Sequence, residues 1–283
     1  KYFSLTYEIK GKLPSYLEKN SINFPCIVKP VDSSAGRGIN ICNNPSDVKE
    51  ALSYALNQSQ EGLAIVEDII EGPQFSLETL TFNGEHKLVA VASQTMDLKE
   101  KHVEVGHILP APISKRQYSV LEKYALNLLD GFEIKFGACH IEVRVVDEKI
   151  YTLDFASRMG GWRDLMIESV FGEVYIDAYI QSHLLEDKRT ISLGSYVETK
   201  PESKFCVARM AFNLEDLNLL NDLKNDGKCD FDLVDRKLIE MKNDNFKCSL
   251  SNSAGHFLYM STLLNERSIV ERYKCVDLTK DFT

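Results

Sequence analysis

Two acidic residues twelve positions apart, Glu142 and Asp154, lie in a stretch with the pattern of a β-hairpin. Apolar and polar residues alternate on both sides of the polar segment 147–149, as in two paired strands. With a loop over 147–149, Ile141 lies opposite Phe155 and the large apolar residues share one face. The same register predicts that Glu142 lies directly opposite Asp154 on the other face, with Cβ atoms about 5 Å apart.

The length of the turn decides this register. A two-residue turn would place Val143 opposite Thr152 and Glu142 opposite Leu153. That arrangement mixes apolar and polar side chains on each face and exposes apolar area to water. We therefore expect the loop of three residues.

The chemistry of a close carboxylate pair depends on what lies between the two groups. Two ionised carboxylates at this separation repel each other, so they need a cation between them or one must hold a proton. Mg²⁺ is commonly bound by one or two carboxylates together with water and phosphate, and Arg158 adds a cation further along the same strand. A shared solvated face, on which Arg144 neutralises the pair, is the alternative.

A lysine followed directly by a loop of small residues is a second candidate site. Lys29 ends an apolar run, and the segment SSAGRG follows at 33–38. Small residues let backbone N–H groups approach an anion closely, and the lysine adds positive charge. The pattern matches neither the Walker A loop nor the dinucleotide-binding fingerprint. A plain hairpin loop with Lys29 at the surface is the alternative.

A break between two strand-like stretches is a third candidate. Gly72-Pro73 separates the stretch 63–71 from the stretch 75–83. Unpaired backbone groups at such a break can bind a flat heterocycle, and Glu67 or Gln74 could bind its polar groups. An ordinary hairpin explains the same residues.

The composition limits the possible classes of function. The chain has 283 residues, with 33 Lys and Arg against 42 Asp and Glu, and a net charge of −9. This balance argues against nucleic-acid binding, which needs a basic surface. No apolar run approaches the roughly 18 residues of a membrane span. The seven cysteines are widely spread without a CxxC pair, which predicts reduced thiols and a cytoplasmic location.

Strand and helix patterns both occur along the chain. Asn44-Pro45 gives a helix start signal, and Asn83-Gly84 a hairpin signal. Strands are expected over 24–31, 39–42, 63–71, 75–83 and 86–94, and helices over 45–57, 115–130, 163–171 and 173–185. From about residue 186 the sequence becomes charged and polar, so we expect a domain boundary near residue 190.

Taken together, these segments resemble the motif series of the ATP-grasp superfamily. The series is FPCIVKPVDSSAGRGI, then VEDIIEGPQF, then HIEVR and LDFASRMGGW, and it covers about residues 24–190. Within the superfamily, HVEVGHILPAPI and DFASRMGGW are most similar to the bacilysin-type L-amino-acid ligases, which are dipeptide synthetases. The resemblance implies an α+β fold with two subdomains, 1–72 and 73–190, that grip ATP between them. It also implies a small α+β extension over 191–283 and a further domain ahead of residue 1.

The resemblance assigns roles to individual residues. Glu142 and Asp154 would hold Mg²⁺, or Mn²⁺ in its place, although Asp154 replaces the commoner Glu and Ala156 a common Asn ligand. Arg158 would be the catalytic cation on the transferring phosphoryl group and would also bind the acyl carboxylate. The residues implied in substrate binding are Glu104, His107, Arg158 and Trp162. The residues implied in ATP binding are Lys29, Ser33, Ser34, Gly36, Gly38, Glu67, Asp68, Ile70 and Gln74, the last in place of the usual ribose-binding Glu.

The implied activity is ATP-dependent ligation of a carboxylate to an amine through an acyl phosphate, with ADP and phosphate released. The expected partners are small carboxylates and amines, in particular amino acids, and the sequence leaves a homo-oligomer open. A biotin-carboxylase-like or purine-pathway carboxylating ligase is one alternative. A nucleotide-binding module without turnover is the other, because Gln74, Asp154 and Ala156 depart from the family pattern.

Overall fold

The computed structural model describes residues 2–6, 18–19, 21–34, 36–97, 103–172, 175–184, 205–211, 231–238 and 255–261. The chain divides into two compact units, and along the chain the first passes into the second between Glu71 and Gly72. Gly72 has φ +146°, and a Cβ at this position would lie 2.4 Å from the carbonyl oxygen of Val145. Both the dihedral angle and the close approach therefore require glycine at the junction.

The first unit contains an antiparallel sheet in the order β1-β4-β2-β3 and a helix over Pro45–Gln58. The helix starts where the sequence predicts it, because the Asn44 side chain accepts hydrogen bonds from the backbone N–H groups of Ser46 and Asp47 and Pro45 occupies the first turn. The elements are β1 (Tyr2–Thr6), β2 (Cys26–Pro30), β3 (Asn40–Cys42), α1 (Pro45–Gln58) and β4 (Leu63–Asp68).

The core of the first unit lies between α1 and one face of this sheet. Buried residues of α1 recur at helical spacing and belong to the same core as Cys26, Val28 and Val66. On β2 the burial alternates with period two, so Ile27 and Lys29 lie on the opposite face. The side of the sheet that carries Lys29 is therefore the side away from α1.

The second unit is built on an eight-stranded sheet in the order β11-β12-β10-β7-β6-β5-β8-β9. Its helices are α2 (Lys115–Gly131), α3 (Arg163–Phe171) and α4 (Tyr175–Leu184). Its strands are β5 (Gln74–Phe82), β6 (Glu85–Asp97), β7 (Val103–Leu109), β8 (Phe136–Val146), β9 (Lys149–Ala156), β10 (Phe205–Ala211), β11 (Phe231–Leu238) and β12 (Gly255–Ser261). In the part of the chain that the structure describes, no helix has the length and apolar character needed to cross a membrane.

Two hydrophobic clusters cover the two faces of the second sheet. Helix α2 packs on one face, against residues that include Leu77, Ile141 and Val143. Helices α3 and α4 pack on the other face, in a cluster that includes Leu80 and Ala138. Even-numbered residues of β8 share this second face with Ala138. The polar side chains of β8 therefore lie on the face that carries α3 and α4.

The β8–β9 hairpin combines a confirmed prediction with a wrong one. Glu142 pairs with Asp154 and Ile141 with Phe155, as predicted. The predicted three-residue loop is wrong, because the turn consists of Asp147 and Glu148 alone.

The turn and the pairing are reconciled by a β-bulge. Asp147 and Glu148 have φ of +47° and +61°, the combination whose twist suits a two-residue hairpin. Val143 pairs with Thr152, and the register shifts before Glu142, so Leu153 is the extra residue of a bulge. The bulge returns the register to the one that the burial pattern predicts at Glu142.

The strands of the predicted C-terminal extension belong to the second sheet. Cys206 of β10 pairs with Leu109 of β7 and Ala208 pairs with His107, while β12 pairs with both β10 and β11. The proposed division near residue 190 therefore does not separate two sheets. The charged segment that suggested this division, 186–204, lies outside the described residues.

Candidate functional site

In the first unit, Lys29 and Glu67 form an ion pair on the sheet face away from α1. Strand pairing places Ile27 opposite Glu67 and Lys29 opposite Ile65, so Lys29 and Glu67 are diagonal neighbours. Lys29 Nζ lies 2.7 Å from Glu67 Oε2, and both side chains are largely buried. The structure thus brings together two of the residues predicted to bind ATP.

The small-residue loop connects β2 to β3. Ser34 Oγ accepts a hydrogen bond of 2.8 Å from Arg37 Nη2, and both residues are exposed. Gly38 is buried at the base of the loop, where a Cβ would lie 2.9 Å from the Pro30 ring. Ser33 and Gly36 belong to the same loop. A packed base with an exposed tip suits a flap over a phosphate, and it also suits a plain hairpin loop.

The predicted adenine-binding segment follows β4. Asp68 is the last residue of that strand, and its Oδ1 accepts a 3.0 Å hydrogen bond from the backbone N–H of Asn23. Ile70 is half-buried. The chain then enters β5 at Gln74, so the break predicted at Gly72-Pro73 is present between two strands.

In the second unit, the carboxylate pair lies on the sheet face that carries α3. Asp154 is exposed and Glu142 is half-buried. Glu142 Oε1 accepts hydrogen bonds from Gln94 Nε2 at 2.9 Å and from His140 Nε2 at 3.3 Å. Burial alone would raise the pKa of Glu142, but the hydrogen bond and charge of His140 hold this pKa below its usual value. Glu142 is therefore an anion beside Asp154.

The two carboxylates fit a magnesium ion that is shared with phosphate. Among the described residues, no group of three or more His, Cys, Asp or Glu side chains could hold a metal. Mg²⁺ does not need such a cage, because it usually takes one or two carboxylates and completes its shell with water and substrate phosphates. Both described bonds to Glu142 use Oε1, so Oε2 and Asp154 are the oxygens that would face the ion.

Glu78 is the centre of a fully buried network beside this pair. Its Oε1 accepts hydrogen bonds from His140 Nδ1 at 2.7 Å and from Arg163 Nε at 3.0 Å, and its Oε2 accepts one from the backbone N–H of Gly160 at 3.2 Å. Burial would raise the pKa of Glu78, but the charges of His140 and Arg163 hold it at about 2. Burial would likewise lower the pKa of His140, which Glu78 instead raises to about 10.

Arg163 connects the network to the predicted substrate side. It is the first residue of α3 and 1% exposed. Its Nη2 donates to Ser76 Oγ at 3.0 Å and to His107 Nδ1 at 2.7 Å. Burial, with the Arg163 charge next in importance, lowers the pKa of His107 well below its usual value. His107 is therefore neutral, and its Nδ1 accepts the hydrogen bond that Arg163 Nη2 donates.

The predicted substrate residues Glu104, His107 and Trp162 lie together. The rings of His107 and Trp162 meet edge to face with centroids 6.1 Å apart. Glu104 Oε1 lies 3.1 Å from His107 Nδ1 and accepts a 2.6 Å hydrogen bond from Gln94 Nε2. Burial, followed by the charge of Glu142, raises the pKa of Glu104 to about 8. Glu104 is thus a carboxyl group that holds its proton at neutral pH.

Gln74 and Arg144 are hydrogen-bonded to each other. Gln74, the predicted ribose ligand, is buried; its Oε1 accepts from Arg144 Nε at 3.0 Å and its Nε2 donates to Gln94 Oε1 at 3.1 Å. The amide therefore already has protein partners on both its polar atoms. Arg144, the predicted neutraliser of the carboxylate pair, is bonded to Gln74.

The turn between β9 and α3 carries the predicted catalytic arginine. Arg158 is exposed, and its Nη1 donates a 2.8 Å hydrogen bond to the carbonyl oxygen of Met159. Two residues later a Cβ on Gly160 would lie 2.6 Å from His140 Nδ1 and 2.9 Å from Glu78 Oε1. The turn is thus packed against the buried network, and Arg158 extends from it.

Sequence reasoning missed Glu78, Gln94, Arg163 and the role of His140. A signal for Glu78 was present, because Gln74, Ser76 and Glu78 alternate with the apolar residues Phe75 and Leu77. A charge at such a position is buried only with a partner. Arg163 has no comparable local signal, since its partners Ser76, Glu78 and His107 lie on two strands, β5 and β7, that are distant from it in sequence.

Comparisons with known proteins identify the family of the chain. The ATP-grasp domain family matches residues 22–165, about half of the chain. D-alanine–D-alanine ligase from Fusobacterium nucleatum is 25% identical over 181 residues, which cover 62% of this chain and 58% of that protein. Phosphoribosylamine–glycine ligase from the same organism is 22% identical over 294 residues, which cover 94% of this chain and 65% of that protein. The chain spans about half the length of several curated relatives that it matches.

Solved structures give the same fold. L-amino acid ligase from Bacillus licheniformis superposes with a TM-score of 0.70 at 15% identity, over 96% of this chain and 66% of that one. N5-carboxyaminoimidazole synthetase from Staphylococcus aureus, complexed with ADP, gives a TM-score of 0.62 at 17% identity, over 96% and 66%. The predicted fold is confirmed, and the chain belongs to the ATP-grasp domain family.

Proposed function

We propose that the protein is an ATP-dependent carboxylate–amine ligase that forms an amide bond and releases ADP and phosphate. The observation that carries the proposal is the direct pairing of Glu142 with Asp154 inside the family match. The pair lies beside buried hydrogen-bonding side chains that suit a polar substrate. Two of the relatives, D-alanine–D-alanine ligase and phosphoribosylamine–glycine ligase, carry names that describe ligations of this kind.

On the nucleotide side, the first unit would supply charge and backbone groups. Lys29 would exchange its contact with Glu67 for the α- and β-phosphates, and the loop 33–38 would close over them. The backbone from Glu67 to Ile70 would hold adenine. From the second unit, Gln74 would bind the ribose by giving up one of its amide contacts. In the second unit, Glu142 and Asp154 would hold Mg²⁺, which would neutralise phosphate charge.

The reaction follows from these contacts in two steps. A carboxylate oxygen of the first substrate attacks the γ-phosphorus, and the bond from that phosphorus to ADP breaks. The amine nitrogen of the second substrate then attacks the acyl carbon, phosphate leaves with the electrons of the C–O bond, and the nitrogen loses a proton. Arg158 would hold the phosphoryl group and the acyl carboxylate with its planar guanidinium.

The substrate class that we propose is amino acids. Glu104 and His107 are buried polar groups next to the Trp162 ring, so the site combines hydrogen-bonding groups with an aromatic wall. Because a protonated Glu104 and a neutral His107 carry no net charge, their part of the site favours a group that donates and accepts hydrogen bonds. The neutral amine that attacks the acyl carbon has this character.

The test is release of ADP and phosphate from Mg·ATP with pooled amino acids. We expect release that requires two amino acids and stops when either is omitted, with an amide product found by mass spectrometry. Release that depends on bicarbonate would instead favour a carboxylating ligase. Tight binding of a non-hydrolysable ATP analogue without turnover over a wide panel of acids and amines would favour a nucleotide-binding module.

A matched set of variants separates the carboxylate pair from general effects. Glu142→Gln and Asp154→Asn are each expected to lower turnover by at least a hundredfold, because the metal loses an anionic ligand. Glu148→Gln is the control, since Glu148 is an exposed residue of the same hairpin whose contact is Arg116 at 3.2 Å. Unchanged turnover in both pair variants would rule out the proposed metal ligands.

A further inference from the structure

We propose that His140 is a positioning residue for the metal ligand Glu142, an inference that rests on the proposed function. The ring of His140 lies between two carboxylates. Its Nδ1 is 2.7 Å from Glu78 Oε1, and its Nε2 is 3.3 Å from Glu142 Oε1. Ionised carboxylates only accept hydrogen bonds, so both ring nitrogens donate. The position of Glu78 therefore constrains the position of Glu142 through the ring of His140.

Glu78 is suited to be the fixed end of this arrangement. It is fully buried, and it accepts bonds from Arg163 Nε and from the backbone N–H of Gly160 in addition to His140. A carboxylate with three donors in a closed site has one orientation available. The donors come from β8, from α3 and from the turn before α3, so three elements hold it.

The surroundings of the His140 ring leave it little freedom to rotate. A Cβ on Gly160 would lie 2.6 Å from Nδ1, which places the backbone of the turn directly against the ring. His140 is 6% exposed. Because the ring is held at Nδ1 and covered by the turn, the direction in which Nε2 points is set by Glu78 and Gly160.

The orientation of His140 determines the orientation of the Glu142 carboxylate. Gln94 Nε2 and His140 Nε2 both bond to Oε1, and together they fix the plane of the carboxylate. Oε2 would then be the Glu142 oxygen that binds a metal ion held together with Asp154. Hydrogen-bonding partners of metal ligands typically change metal affinity by 10- to 100-fold when removed, so an effect of that size is expected here.

Two amide substitutions separate the two ring nitrogens of His140. An asparagine amide nitrogen lies near the position of Nδ1, and a glutamine amide nitrogen near that of Nε2. His140→Asn therefore keeps the hydrogen bond to Glu78 and loses the one to Glu142. In His140→Gln, the amide nitrogen can still donate a hydrogen bond to Glu142. The matched controls are His86→Asn and His86→Gln, because His86 also bridges two partners, Thr81 and Asp130, in the same unit.

The measurement is Mn²⁺ binding by electron paramagnetic resonance in the presence of a non-hydrolysable ATP analogue. We expect His140→Asn to weaken Mn²⁺ binding by at least tenfold and His140→Gln to stay within about threefold of the wild type. Both His86 variants should bind as the wild type does. Thermal unfolding without metal provides a second readout, in which a purely structural role would lower the melting temperature of both His140 variants equally.

The outcomes distinguish this inference from the function on which it rests. If the wild type binds no Mn²⁺ with the nucleotide, the proposed metal site itself fails. If the wild type binds and the two His140 variants match it, or weaken equally, the positioning role is overturned. Should His140→Asn fail to fold, ¹⁵N NMR of the wild-type ring decides the question. A His140 Nε2 proton in rapid exchange with water would then refute the bond to Glu142.

Discussion

At the scale of single residues, the second unit depends on charges that are buried and fully paired. Arg163 is 1% exposed and donates to Glu78, Ser76 and His107. Burial of an unpaired guanidinium at that depth would cost free energy, and the hydrogen-bonding partners of Arg163 offset this cost. Removal of one member of this network leaves each buried charged or polar group that it contacts with one hydrogen-bonding partner fewer.

Substitution of Arg163 tests this dependence. Arg163→Met is expected to lower the free energy of unfolding by roughly 3–5 kcal/mol, because Glu78 loses a charged partner in a closed site. Denaturant-induced unfolding followed by circular dichroism measures the change. Arg116→Met is the control, since Arg116 pairs with Glu148 at an exposed position and should cost less than about 1 kcal/mol. Equal losses in the two variants would contradict the account.

Glu104 gives a prediction about pH. Its pKa is about 8 in the folded protein against about 4.5 in the unfolded chain, so between these values the folded state keeps a proton that the unfolded state releases. The contribution of Glu104 to the free energy of unfolding is therefore fully present below about pH 4.5. It is lost as the pH rises toward 8, by up to about 1.4 kcal/mol per pH unit. Glu104→Gln should remove this slope from unfolding curves recorded without metal.

At the scale of elements, the β8–β9 hairpin shows where sequence patterns stop being sufficient. The burial pattern predicted the pairing of Glu142 with Asp154 correctly, because one face of β8 must be apolar. The same pattern could not predict the turn, since a bulge at Leu153 absorbs one residue without changing the pairs beyond it. Counting positions from a known pair therefore gives the wrong loop length wherever a bulge intervenes.

The turn of this hairpin offers a stabilising substitution. Glu148 has φ +61°, a conformation that costs an L-residue roughly 1 kcal/mol and costs glycine almost nothing. Glu148→Gly is therefore expected to raise the free energy of unfolding by about 1 kcal/mol, as measured by chemical denaturation. Glu148→Ala removes the same side chain without relieving the backbone. If the alanine variant gained as much as the glycine variant, the cause would lie in the side chain instead.

At the scale of the whole molecule, the second sheet is completed by strands from the far end of the chain. Phe205, Cys206 and Val207 of β10 are buried, and β10 pairs with β7. The sequence between these two strands is long, and no local pattern specifies such a pairing. This is why the predicted boundary near residue 190 did not correspond to a break in the sheet. The helices, whose signals are local, were predicted to within two or three residues.

Truncation tests this completion. A chain that ends at residue 204 would expose the β7 edge and remove three strands from the sheet. We expect such a chain to lose cooperative unfolding of the second unit and to become sensitive to limited proteolysis throughout residues 72–184. The full chain under the same protease treatment is the reference. A stable, protease-resistant second unit in the shortened chain would show that the C-terminal strands form an independent extension.

The pairing of β7 with β10 has a consequence for how such a protein changes over evolutionary time. Glu104 and His107 lie on β7, and Ala208 lies directly opposite His107. The two paired strands next to the proposed substrate site, β7 and β10, are therefore encoded by two gene segments about a hundred codons apart. A recombination event that imports only one piece joins strands that were never selected together. New specificities should thus spread by point mutation within β7 and β10 more readily than by exchange of a contiguous segment.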